Sequence, residues 1–287
     1  MATQVDHILL TRFNLPSDGM ESTIRNQDGW LEGRVRLFEE YCLPSVRAQR
    51  EQNFAWIIYF DPQSPEWLKA WIETTHPGSF TPIFRARVPT DDLRADLESV
   101  VPARSRWLMT TNLDNDDGLG RDFVGRLQGT RSEARRAAVY LSRGLIKSAD
   151  GLFLRTDRHN AFCSVRETWD APVTCWADWH NRLPLSMPAE VHGGQPSWLQ
   201  VVHATNVSNR IRGRRVSPRP YRDDFVGLES LSEPTGLEIL GDRLGRTPAR
   251  AIRDASRATA RNVAVSLLGK DGVDRAKARV ARRRAAT

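Results

Sequence analysis

Apolar residues gather near the start of the chain into short continuous runs, separated by stretches in which they recur at helical spacing. His7 to Phe13 (HILLTRF) and Phe54 to Phe60 (FAWIIYF) are runs ended by polar residues, as expected of strands buried on both faces of a parallel sheet. A third strand is expected near Phe80 to Val88, and a fourth in Arg106 to Asn112. Between them, Leu31, Val35, Phe38, Tyr41 and Cys42 mark a helix over 31–50 that Pro44 kinks or ends. Ser64-Pro65 opens another, with Trp67, Leu68, Trp71 and Ile72 on one face, and further helices are expected over 94–100 and from about 119 to 128. This alternation predicts an α/β fold with a doubly wound sheet and a ligand crevice at the carboxyl ends of its strands. Polar residues stand at those ends: Thr11, Arg12 and Asn14 after the first strand, Asp61 after the second, and Asp114 to Asp117 after the fourth.

The pattern changes after residue 130. Strands are expected over Ala137 to Ile146 and Gly151 to Thr156, joined through a Ser-Ala-Asp-Gly turn, so the sheet gains an antiparallel extension. Residues 160–205 hold Trp169, Trp176, Trp179, Trp198, His180, His192 and His203 among Pro and Gly, a loop-rich wall suited to a polar, flat ligand such as a sugar ring. Past Thr247-Pro248 an Ala/Arg helix is expected, with Ile252, Ala255, Thr259, Val263 and Leu267 on one stripe. The chain therefore divides into a domain over 1–245 and a basic helical appendage over 246–287.

The net charge of +7 suggests a nucleic-acid partner until it is divided along the chain. Residues 246–287 hold twelve Lys and Arg against three Asp and Glu, which leaves 30 against 32 in the body. The basic character belongs to the appendage, where a solvated helix and an anionic membrane surface rank above nucleic acid, because no aromatics interleave with the charges. No apolar stretch approaches a membrane span and no signal segment precedes the first strand, so a cytoplasmic location is expected, with peripheral attachment at the inner membrane face through the tail. The three cysteines show no metal or redox spacing and are expected in the core.

Three carboxylates within four residues, Asp114, Asp116 and Asp117, end an apolar strand, and their repulsion calls for a cation. A helix cap would explain Asp117 alone. A calcium loop fails, because Gly118 stands where that pattern needs a ligand and Leu119 where it needs Gly. The remaining reading is an Asp-x-Asp site holding Mn²⁺ or Mg²⁺ through few protein ligands, with positions left for substrate phosphates.

Five blocks carry a resemblance to a known family: His7 to Asn14; Arg36 to Val46 with Gln49; Phe54 to Asp61; Leu113 to Asp117 with Asp122 to Val124; and Trp198 to Asn206. In these the chain resembles the bacterial rhamnosyltransferase family, of the GT-A type of nucleotide-sugar glycosyltransferases. The resemblance implies a GT-A-like doubly wound mixed sheet, with a Rossmann-like nucleotide-binding half and an antiparallel acceptor side. It implies transfer from a UDP, dTDP or GDP sugar to a hydroxyl of a glycan, a lipid-linked saccharide or a protein. Asp116 would be the direct metal ligand, with Asp114 acting through water or on the ribose, Asp117 third, and His203 an additional ligand. Asp61 would hold the nucleobase, and Thr11, Arg12 and Asn14 would reach base or phosphate. Asn112 stands where the family pattern has Arg, and a neutral amide there cannot neutralise diphosphate. An inverting reaction needs a base, for which Glu167 and then Asp178 are the candidates. The rival readings are a metal-dependent phosphodiesterase or nuclease, which needs a second ligand cluster, and a non-catalytic carbohydrate- or nucleic-acid-binding protein.

Overall fold

The computed structural model describes residues 5–16, 29–203 and 210–250. The first half alternates strand and helix. Strand β1 (Val5–Arg12) leads to helix α1 (Trp30–Leu37), a π turn (Phe38–Cys42) and α2 (Leu43–Arg47). Then come β2 (Ala55–Phe60), α3 (Glu66–Thr75), β3 (Thr81–Phe84), α4 (Thr90–Val100) and β4 (Trp107–Asn112). Pro44 does not end the helical run: it stands just past the π turn, in which the Leu43 N–H reaches back to the Phe38 carbonyl, and the wider turn accommodates the residue that cannot donate.

These strands form the parallel order β3-β2-β1-β4 within one seven-stranded sheet. Their continuous apolar runs are explained by burial on both faces. Leu9, Trp56, Ile58, Phe60 and Met109 face one cluster with Phe38, Val46, Leu68 and Ile72 from α2, α3 and the π turn. Ile8, Leu10, Ile57, Tyr59 and Leu108 face another, with Leu93 and Leu97 of α4. The three cysteines are buried and unpaired, as expected.

The second half departs from the expected strands at two points. The 119–128 helix is shorter: Gly118–Leu119 form a strand, β5, and helix α5 covers Phe123–Gln128. The single strand expected over 137–146 is two, β6 (Arg136–Leu141) and β7 (Arg143–Ser148), because the chain changes sheets at Ser142. There the Ser142 N–H donates to the His192 carbonyl and the Ser142 carbonyl accepts from the Asp157 N–H, so the backbone groups freed by the break are still paired.

The remaining strands are β8 (Gly151–Thr156), β9 (Ser164–Thr168), β10 (Ala189–His192), β11 (Trp198–Val201) and β12 (Arg214–Val216). The large sheet has the order β10-β6-β9-β4-β1-β2-β3, in which β9 runs antiparallel to β4 and β6. The smaller sheet is β12-β8-β7-β11-β5. Helix α6 (Gly236–Gly241) continues through a π segment, Asp242–Arg246, and so begins ahead of the expected boundary at 246. The apolar stripe from Ile252 to Leu267 lies outside the described residues.

Trp198 fastens the two sheets. Its indole stacks on Phe162 with ring centroids 5.1 Å apart, and its Nε1–H donates to the Leu141 carbonyl at 2.8 Å. Gly144 makes room for it, since a Cβ there would stand 2.0 Å from the indole. Gly144→Ala should therefore cost about 1–3 kcal/mol, read as a lower midpoint in urea unfolding, because the buried ring has no space into which to move.

Candidate active site

The loop after β4 is held at the carboxyl end of β1 by three contacts that use little side-chain freedom. The Leu113 N–H donates to the Leu10 carbonyl at 3.0 Å, the Thr11 hydroxyl to the Leu113 carbonyl at 2.8 Å, and the Asn115 amide to the Phe13 carbonyl at 2.6 Å. From below, the Cys42 thiol points at the Asp114 carbonyl, and the Leu119 N–H donates to the Ser45 hydroxyl. The short polar turn is thus fixed between the β1 end and the π turn, with its carboxylates directed to the crevice and to the second sheet.

Each carboxylate has a different environment. Asp116 is buried, and its Oδ2 accepts from Arg34 Nη1 at 2.5 Å and from His203 Nε2 at 2.9 Å. Burial alone would raise its pKa, but the His203 hydrogen bond and the Arg34 charge outweigh it and hold the carboxyl below the usual range. Asp117 is fully buried; its Oδ1 accepts the Val201 N–H at 2.8 Å, while Oδ2 has no protein partner. Desolvation, then the charges of Asp116 and Asp114, push its pKa well up. Asp114 opens to solvent and accepts from the Asn112 amide at 3.3 Å. The surrounding protein and the Asp116 charge still raise its pKa.

Asp116 and His203 therefore meet, 87 residues apart in sequence. Asp117 is not a helix cap, since α5 begins six residues later; it ties β11 to the acidic turn. Among the described residues no three of His, Cys, Asp and Glu gather into a set able to hold a metal by themselves. What does gather is the Asp116–His203 pair with Asp114 at the rim, oxygen and nitrogen donors suited to an ion that takes its other ligands from substrate.

Other expected residues separate into lining and scaffold. Thr11 is fully buried, its hydroxyl bonded to Leu113 and to the Trp56 indole N–H at 3.0 Å, so it cannot reach a base or phosphate. Asn14 is a clamp: its amide donates to Ser64 and its carbonyl oxygen accepts the Asp61 N–H. The Asp61 carboxylate accepts from the Gln63 N–H at 2.8 Å, the turn-forming contact that Asp61-Pro62 favours. Arg12 does line the crevice, with its guanidinium 4.1 Å from the Trp176 ring centroid. The Trp176 indole N–H in turn donates to Asn112 Oδ1 at 2.7 Å.

Glu167 does not belong to this crevice. It is buried in β9 opposite Leu108, at the other end of β4 from Asp114, and about 20 Å of extended chain separates those positions. Its carboxylate accepts from Arg136 at 2.6 Å and from the N–H groups of Val173 and Thr174. A carboxylate so placed and so fully bonded holds the 171–174 turn and cannot serve as a base. Asp178 is exposed two residues after Trp176 and pairs with Arg182 at 3.1 Å.

Arg34 escaped the sequence reading, and His180 entered it only as one member of the loop-rich wall. Arg34 occupies the helical stripe shared by Leu31 and Phe38, and a cation on an apolar stripe was the available signal. His180 stands beside Asp114, close enough for its charge to act on that carboxyl. Its Nδ1 lies 2.5 Å from the His159 carbonyl, which can only accept, so Nδ1 is the nitrogen that carries the proton in the tautomer whose Nε2 is bare.

A family model described as "Putative rhamnosyl transferase" matches residues 6–215. No curated protein matches the chain. Among solved structures it is similar to S. aureus TarS 1-349 in complex with UDP-GlcNAc, with TM-score 0.45, 8% identity, 76% of this chain and 64% of that one covered. Against another crystal structure of TarS 1-349 the values are 0.40, 8%, 68% and 60%. It is also similar to a putative nucleotide-diphospho-sugar transferase from Desulfovibrio desulfuricans G20, with TM-score 0.36, 6% identity, 70% and 83% covered. The chain thus spans 60% to 64% of these TarS fragments.

The buried Asp117 carboxyl yields a stability prediction. Its folded pKa lies above that of an unfolded aspartate, so the folded state binds more protons and stability falls as pH rises past about 4. Asp117→Asn keeps the acceptor for Val201 and removes the charge. In chelator-treated buffer its melting temperature should exceed that of the parent at pH 7, and the gain should shrink towards pH 4; a gain independent of pH would contradict the assignment.

Proposed function

The chain belongs to the putative rhamnosyl transferase family, and from that premise we propose that it is a metal-dependent nucleotide-sugar glycosyltransferase. It moves a sugar from a UDP, dTDP or GDP donor to a hydroxyl of a glycan, a lipid-linked saccharide or a protein. Residues 1–245 form its catalytic domain and 246–287 its basic appendage. The observation that carries this reading is the convergence of Asp114, Asp116, Arg34 and His203 where β4 ends beside β1.

Transfer from a nucleotide sugar releases a diphosphate bearing two negative charges, so fixed positive charge at the leaving group lowers the barrier. Arg34 and Arg12 are the cations of this chain that border the crevice, and they supply charge that the neutral Asn112 cannot. Mn²⁺ or Mg²⁺ held by Asp116 and His203, with Asp114 beside them, would add Lewis-acid stabilisation at the same oxygens. Asn112 and Trp176 orient Asp114 and Arg12 through the hydrogen bond and stacking contact they share. In this reading Asp61, the residue after β2, meets the nucleobase end of the donor.

The acceptor hydroxyl must lose a proton. Asp178 is the remaining carboxylate for this, and the tautomer of His180 favours a second reading in which Nε2 takes it. Asp178→Asn and His180→Gln separate the two. The variant that removes the base should lose roughly 10²–10⁴-fold in transfer while still binding donor. Full transfer by both would refute a single base on this segment.

The whole reading is tested by thermal shift with UDP, GDP, dTDP and their sugars, with and without Mn²⁺, on the parent protein and Asp116→Ala. A manganese-dependent rise with one nucleotide, lost in the variant, is the expected result. Folded protein that responds to no nucleotide would favour the binding-protein reading instead.

A further inference from the structure

Leu237, Leu240 and Leu244 follow one another at helical spacing along α6 and its continuation, and they are 82%, 51% and 74% exposed. A surface helix ordinarily buries its leucines and turns its charges outward. Here the inner contact is a buried carboxylate: Asp242 accepts from the Arg215 N–H at 3.0 Å, the Thr247 hydroxyl at 2.8 Å and Arg250 at 2.7 Å. The helix is thus pinned to β12 by its polar side and presents its apolar side to the exterior.

The exposed charge beside Leu240 and Leu244 on the carboxyl side is positive. Arg243 and Arg246 are exposed on the same helical segment, whereas Asp242 is turned inward. The exposed Glu238 is engaged in the Thr235 capping box and lies 3.5 Å from Arg215. In sequence, residues 251–287 add ten Lys and Arg against three Asp. We propose that this leucine face, with Arg243 and Arg246 beside it, is a docking surface for an anionic phospholipid bilayer. Exposed apolar area combined with clustered positive charge is the pair of signals that gives reversible attachment at a lipid interface, and a zwitterionic surface would use only one of them. The inference concerns a surface away from the crevice and does not depend on the glycosyl-transfer reading.

The test is co-sedimentation of the full chain with phosphatidylcholine vesicles prepared with and without phosphatidylglycerol, at low and high salt, with no nucleotide present. The parent should sediment only with the anionic vesicles and should be released by salt. Leu240→Glu/Leu244→Glu should bind roughly tenfold or more weakly at an unchanged melting temperature, as expected of exposed positions. Three outcomes would overturn the proposal: no dependence on phosphatidylglycerol, undiminished binding by the double variant, or a parent dimer in light scattering that the double variant dissolves. The last would assign the face to a second copy of the chain.

Discussion

The double hydrogen bond to Asp116 Oδ2 is the contact on which the site depends. Three carboxylates in four residues would repel one another, and in a strand-end turn they have little solvent to screen them. One guanidinium and one imidazole on a single oxygen resolve this by keeping Asp116 ionised, while at Asp117 burial and the neighbouring carboxylates outweigh the more distant Arg34 charge and shift the group towards its neutral form. The turn therefore holds graded proton affinities. Asp114, at the rim, is the member left facing the crevice.

This grading bears on how a cation would enter. Arg34 already satisfies the strongest acceptor, so a metal ion approaching Asp116 and His203 meets a positive neighbour and gains less than it would at a bare carboxylate pair. A diphosphate changes that balance, because it offers Arg34 another anion and offers the ion more oxygens. In the proposed reading, metal and nucleotide binding would be coupled through the one side chain of Arg34, each favouring the other.

Much of the parallel half was legible in sequence, because strands buried on both faces must be apolar throughout and helices packed on them must carry a stripe. His7–Phe13 and Phe54–Phe60 are of this kind. The break at Ser142 was not read from the sequence: Ser142-Arg143 is the only polar step between the apolar residues of β6 and β7, too short to mark a change of sheet when both strands are mostly buried. The acidic turn could be found from its composition, and His203 from the block containing it. Thr11, Asn14 and Glu167 were misread for a common reason: polar groups at strand ends serve backbone closure as often as ligands, and only their hydrogen-bond partners distinguish the two. Arg34 and His180 depend on contacts across 82 and 21 residues, for which sequence spacing offers no guide.

The change of sheets at Ser142 also sets an order on assembly. Asp117 reaches Val201 across 84 residues and Asp116 reaches His203 across 87, so the acidic turn acquires these partners only when β11 has docked on β5 and β7. Closing loops of that length costs entropy before any contact repays it. During synthesis the carboxylates lack their imidazole until residue 203 is made, and the two cores on either face of the parallel strands also await partners from the second half, Trp198 in one and Met187 in the other. The crevice is then among the last parts of the molecule to become electrostatically whole, because Asp116 gains its imidazole only from a residue that follows β11.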